Sequence, residues 1–134
     1  MKKFFLLFAL LLSPMMAMAN AGGCGEVHCE HAPVDLHNKE SLQNGAKVFI
    51  SYCLGCHSAK YLRYERMATD LEIDPKLVSE YMMFTTDKIG DPMDTKVDQK
   101  AQAKWFGNAP PDLSLETRLR SPDWVRSEER RVGK

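Results

Sequence analysis

The chain has 134 residues, 18 basic and 18 acidic side chains and 44% hydrophobic residues, a length that holds one domain at most. The formal balance conceals an asymmetry. The first 19 residues hold two lysines and no acid, and the last nine hold four basic and two acidic groups, so residues 20–125 carry four more acidic than basic side chains. That mild negative charge fits a basic protein partner and argues against nucleic acid or an anionic membrane surface.

Residues 1–19 read as an export signal. Lys2 and Lys3 form its charged start and Phe4 to Leu12 its apolar core. Small residues at Ala17, Ala19 and Ala21 place cleavage after Ala19 or Ala21. The apolar run is too short to span a bilayer well, which weighs against a retained anchor. A lipoprotein signal ending at Cys24 lacks the leucine expected three residues earlier. Export implies an oxidising compartment, where cysteines become disulfides or cofactor attachments. The chain has four: Cys24, Cys29, Cys53 and Cys56.

Residues 20–37 show neither helical nor strand period and read as an extended arm. Within it "CGEVHCEH" admits two readings. A local Cys24–Cys29 disulfide is favoured, and metal ligation with His28 and His31 is the alternative.

Residues 41–53 predict a helix. Ser41 can cap it, and Leu42, Ala46, Phe49 and Cys53 share one face. Gly45 weakens that helix but would admit a second helix closely, with Phe49 filling the groove beside it. A tolerated glycine is the equal alternative. Asp74-Pro75 supplies a cap and a first-turn proline for a helix entering "KLVSEYMMF". Thr95 and Asp98 resemble a capping box for a helix that carries Val97, Ala101 and Trp105 on one face and stops at Gly107. "NAPPDLS" then predicts a stiff extended segment, since two prolines exclude helix and central strand. No alternating strand pattern of any length appears. The fold class is therefore mainly α with long loops.

Cys53-Leu54-Gly55-Cys56-His57 is a C-x-x-C-H motif, the attachment signature of c-type haem. Two thiols three residues apart share one side of a helical turn and can both reach the haem vinyl groups. His57 follows at once, so its imidazole can meet the iron from the same side. A thioredoxin-type dithiol is expected near a βαβ pattern, and none is present. A zinc site would borrow ligands from "CGEVHCEH". A Cys53–Cys56 disulfide beside an accidental histidine is the third alternative. For the sixth ligand, Met67, Met82, Met83 and Met93 are available, and no spacing selects one. Methionine is more often core filler than ligand.

"HAPVDLHNKESLQNGAKVFISYCLGCHSAKYLRYERMATDL", "MMFTTDKIGDPM" and "AKWFGNAPPDLSLETRLRSPDW" together resemble the N-terminal half of the bacterial cytochrome c1 family. The resemblance runs from about residue 30 to residue 125. It implies a cytochrome c-like haem domain, incomplete, with one covalent haem c. Cys53 and Cys56 would carry the thioethers, and His57 would be the axial ligand of the haem iron. Pro110 and Pro111 would lie against the haem. Arg120 would pair with a haem propionate, its planar fork suiting a carboxylate; a solvated surface charge is the alternative. Tyr61 and Tyr64 would sit on the haem side or in ordinary core.

The resemblance further implies a one-electron relay in complex III, ubiquinol–cytochrome c reductase. Electrons would pass from a Rieske iron–sulfur protein to soluble cytochrome c, beside cytochrome b, on the periplasmic face of the inner membrane. The subunit would carry out no substrate chemistry of its own. Two other readings stand beside this one. One is a small soluble periplasmic c-type cytochrome with Met93, or a histidine such as His37, as sixth ligand. The other is a periplasmic metal-binding or disulfide module.

The chain departs from the family pattern in two respects. Cys24 and Cys29 are not part of that pattern. The family's later segment, with the sixth-ligand methionine and the C-terminal membrane helix, is missing here, so the sixth ligand is expected outside this chain. "RSEERRVGK", residues 126–134, back-translates as AGA TCG GAA GAG CGT CGT GTA GGG AAA. This matches the start of a widely used sequencing adapter and is read as translated adapter; a natural charged tail is the alternative.

Overall fold

A computed structural model describes residues 23–25 and 28–132, with side chains to residue 128. Residues 1–19, which the sequence predicts to be an export signal, lie outside these residues. In chain order the elements are α1 (Lys39–Val48), a π-helical turn (Phe49–Cys53), β1 (Ala59–Arg63), α2 (Tyr64–Leu71), α3 (Pro75–Tyr81), β2 (Pro92–Met93), α4 (Gln99–Phe106), α5 (Glu116–Arg120) and α6 (Pro122–Val132). The fold is mainly α with long loops, as the periodicity predicts. Among the described residues no helix is long and apolar enough to cross a membrane.

The N-terminal arm, where described, is irregular up to α1. Cys24 and Cys29 form a disulfide. Both thiols are thereby withdrawn from metal ligation, and among the described residues no group of three or more metal-ligating side chains forms. The arm lies against α6: the Ala32 N–H donates to Asp123 Oδ1 at 2.8 Å and the Glu30 N–H to Ser127 Oγ at 2.9 Å.

Helix α1 begins earlier than its pattern predicts. Asn38, not Ser41, is the cap: its Oδ1 accepts from the Ser41 N–H at 3.0 Å, leaving Ser41 inside the first turn. Asparagine satisfies an orphan N–H as well as serine does. The helix ends at Val48, and the chain widens into the π turn, with the Leu54 N–H reaching back five residues to the Phe49 carbonyl at 2.9 Å. That extra residue advances the buried face, so Ile50 and Leu54 enter the core while Phe49 and Cys53 stay at its edge. A π turn inside a helix frequently marks a functional position.

Two side chains of α1 cap the far end of α2. Lys39 Nζ donates to the Asp70 carbonyl at 2.6 Å and Gln43 Nε2 to the Leu71 carbonyl at 2.8 Å, meeting carbonyls that a helix end leaves orphaned. Helix α3 starts as its sequence predicts, with Asp74 Oδ1 accepting from the Lys76 N–H at 2.8 Å and Pro75 in the first turn. It stops at Tyr81, short of Met82, Met83 and Phe84.

The antiparallel pair β1–β2 has no precedent in the sequence pattern. It is irregular, pairing Ala59 with Met93 and Arg63 with Pro92. Strands this short carry too few side chains to show alternation. The core gathers around them: Ile50, Leu54, Ala59, Tyr64, Met67, Ala68, Val78 and Met93. Met93 at 1% exposure and Met67 at 4% are core residues, and Met82 and Met83 pack partly buried against the same cluster. Met93 pairs with Ala59 across the two strands. Tyr64 is likewise fully buried, whereas Tyr61 is 80% exposed.

Candidate haem site

The site is assembled on the π turn and the turn after it. The Cys56 N–H and the His57 N–H both donate to the Cys53 carbonyl, at 3.0 and 2.8 Å. This helical turn sets Cys53, Cys56 and His57 around one corner, anchored by Leu54, which is 1% exposed. Cys53 and Cys56 are not joined in a disulfide. Cys53 is half-buried and Cys56 is exposed.

Side chains from far along the chain fix the corner. The Gly55 carbonyl accepts from Thr95 Oγ1 at 2.8 Å, and the Cys56 carbonyl from Gln102 Nε2 at 3.0 Å. Ser58, itself buried, donates from Oγ to Asp94 Oδ1 at 2.6 Å and accepts from the Thr95 N–H at 3.1 Å. Its carbonyl takes the Leu113 N–H at 2.8 Å. Thr95 is thus committed to the cysteine turn and does not cap α4. Asp98 performs that role alone, with Oδ2 accepting from the Lys100 and Ala101 N–H groups.

His57 Nδ1 donates to the Pro111 carbonyl at 2.8 Å. A carbonyl only accepts, so Nδ1 carries a proton, and in the neutral ring the lone pair is on Nε2. A histidine ligand held this way has a fixed tautomer and ring orientation. The double proline supplies the stiffness that keeps the carbonyl in place.

Asp112 ties the proline segment to β1. Its Oδ2 accepts from the Lys60 N–H at 3.0 Å and its Oδ1 from the Ser114 N–H at 2.8 Å. Partial burial raises the carboxyl pKa, but the bonds from Ser114 and the Lys60 backbone, with the Lys60 charge, outweigh it and hold the net value below 3.8.

Cys53 opens onto a largely apolar cavity of about 590 Å³, lined among others by Phe49, Ala59, Leu62, Leu113 and Val125. That volume lies within the usual range for cofactor sites. Gly45 and Tyr61 also line it, and nothing lies within 4 Å of the position a Cβ would take on Gly45. Across the cavity from Gly45 and Phe49 stand Glu116 and Thr117 of α5 and Val125 of α6.

Arg120 stands at the border of this cavity. Its Nε donates to Glu116 Oε2 at 3.0 Å, and Glu116 is a lining residue. Its guanidinium lies 4.6 Å from the Trp124 ring centroid. The structure therefore brings Cys53, Cys56, His57 and Pro111 together, with Pro110 adjoining, while Arg120 does not line the cavity and reaches it only through Glu116, which holds its Nε. Gln102, Thr95 and the Ser58–Asp94 pair escape sequence reasoning. They act from 36 to 46 residues away, and no spacing pattern links them to the cysteine turn.

These residues fit a c-type haem: two thiols and a histidine on one turn, with an apolar cavity lined by Cys53 but not by Cys56, His57 or the two prolines. Comparison with known proteins points the same way. The chain is 46% identical over 125 residues to a protein named cytochrome c1 from Allochromatium vinosum, covering 93% of this chain and 50% of that protein. It is 40% identical over 121 residues to a protein named ammonia monooxygenase gamma subunit from Nitrosomonas europaea, covering 90% of this chain and 50% of that one. The chain thus spans about half the length of the curated relatives it matches. The model of the Cytochrome C1 family matches residues 29–127, and the chain belongs to that family.

Proposed function

We infer that this chain supplies the haem-attachment half of a one-electron carrier. The observation that carries the reading is the His57–Pro111 bond of 2.8 Å, which presents Nε2 beside two thiols on one turn. Cys53 and Cys56 would hold the haem c by thioethers, His57 would ligate its iron, and Pro110 and Pro111 would lie beside it. Arg120, with further guanidinium N–H groups beyond the Nε that Glu116 takes, serves a propionate. When bound, a c-type haem supplies reversible one-electron exchange and needs no substrate site. The residues themselves orient the ligand and keep the proton on Nδ1, while the apolar wall of Phe49, Leu62 and Leu113 excludes water.

In the whole protein the carrier belongs to complex III. It takes electrons from a Rieske iron–sulfur protein beside cytochrome b and passes them to soluble cytochrome c at the periplasmic face of the inner membrane. The acidic balance of residues 20–125 supports a basic acceptor. Residues 126–134 remain, in this reading, translated adapter, and different codons in the underlying DNA would sink that part.

The test is the visible spectrum of the reduced full-length protein made with haem-attachment machinery. A sharp α-band that survives acid–acetone extraction is expected. Stoichiometric zinc without that band would instead establish the metal-binding module. Association of the intact protein with cytochrome c should weaken as salt rises; salt-independent binding would remove the electrostatic part of the reading.

A further inference from the structure

Helix α4 has an unusual attachment. Its one buried residue is Gln102, 1% exposed, and its aromatic pair Trp105 and Phe106 is exposed. The polar side chain is spent on one atom, the Cys56 carbonyl oxygen, 3.0 Å from Nε2. A buried amide persists where it finds such a partner.

The peptide that Gln102 grips is the one joining Cys56 to His57. It is planar, so fixing its oxygen fixes the direction from which the His57 Cα departs. The same peptide is held at its other end, because the His57 N–H donates to the Cys53 carbonyl at 2.8 Å. The imidazole is then pinned at Nδ1 by the Pro111 carbonyl. Gln102 and Pro111 belong to one short stretch of chain. Between them Gly107 takes φ +84°, a conformation that L side chains rarely adopt. That turn lets a single segment reach His57 twice, through its peptide and through its ring.

We propose that Gln102 is a positioning residue for His57: its amide donates to the Cys56 carbonyl and so sets the approach of the imidazole to the haem iron. This rests on the haem reading above. Groups that fix the orientation of a metal ligand carry this kind of control.

The test uses the full-length, haem-bearing protein. Gln102→Met keeps the side-chain volume and removes the donor; Gln102→Glu keeps the shape and turns an acceptor toward the carbonyl. Both variants should raise the fraction of ferrous haem lacking its histidine about tenfold, with a shifted or broadened iron–imidazole stretching band in resonance Raman spectra of the five-coordinate ferrous haem produced by photolysis of its carbon monoxide adduct. A purely structural Gln102 would lower the melting temperature and leave that band in place, which overturns the proposal. An unchanged band in both variants with normal haem content also overturns it, while leaving the haem reading intact. A wild-type protein without covalent haem would overturn both.

Discussion

His57 and Pro111, 54 residues apart in sequence, are joined by a 2.8 Å bond from Nδ1 to a backbone carbonyl. Because the acceptor is main chain, the bond survives any substitution at Pro111 that keeps the backbone in place. Nitrogen NMR of the haem-free protein should find His57 with its proton on Nδ1; a dominant Nε2–H tautomer would contradict the geometry. Pro111→Ala should retain the tautomer and cost under about 1 kcal/mol, chiefly by loosening the unfolded chain.

Tyr64 tests the core beneath the site. It is fully buried, and its hydroxyl meets Thr85 Oγ1 at 3.0 Å. Burial raises its pKa above 10.0, offset in part by the Thr85 bond. Tyr64→Phe should cost about 1 kcal/mol for the lost hydrogen bond. Tyr64→Ala should cost about 3–5 kcal/mol, since it also leaves a cavity. Chemical denaturation of the two variants measures the difference, and equal losses would show that ring packing contributes little.

The contrast between Tyr64 and Tyr61 shows what the sequence could convey. Local chemistry was legible: the Asp74-Pro75 start of α3, the Gly107 stop of α4, the stiff proline segment and the cysteine–histidine turn each depend on neighbours within a few residues. Which tyrosine is buried depends on β1 meeting β2 across an intervening stretch that holds α2 and α3, and no local period encodes that. The cap of α1 fell on Asn38 because both Asn38 and Ser41 are good caps, and only the longer helix lets Lys39 and Gln43 reach the end of α2. Thr95 was misread for a related reason. Its hydroxyl has the chemistry of a helix cap, but the Gly55 carbonyl takes it.

Asp112 gives the site a defined acid response. Its folded pKa is depressed, so its contribution to stability is present above the unfolded carboxylate value and is lost as pH falls through the lower folded value. Asp112→Asn supplies one acceptor where the carboxylate supplies two, and Lys60 N–H and Ser114 N–H each need one. The variant should lose about 1 kcal/mol at neutral pH. It should also show a shallower loss of stability below about pH 4, the ordinary carboxylate range. Urea midpoints across that range decide the matter; parallel curves for the two proteins would mean that Asp112 does not carry the acid limb.

The Cys24–Cys29 disulfide closes a short loop with a sequence separation of 5, for which loop entropy sets a ceiling of about 2 kcal/mol. Little of that should reach the core. The arm meets α6 through polar side-chain contacts at Asp123, Arg126 and Ser127, and terminal segments held at the surface open before the globule does. Replacing both cysteines by serine should therefore expose the arm to protease and leave the melting temperature of the core nearly unchanged. Asp123→Ala should free the same arm with the disulfide intact, because it removes the acceptor for the Ala32 N–H and the carboxylate 3.6 Å from His31 Nδ1. If the core melts earlier in step with arm cleavage in either variant, the arm is part of the cooperative unit, and its docking on α6 supports the wall of the cavity beside Cys53 at Val125.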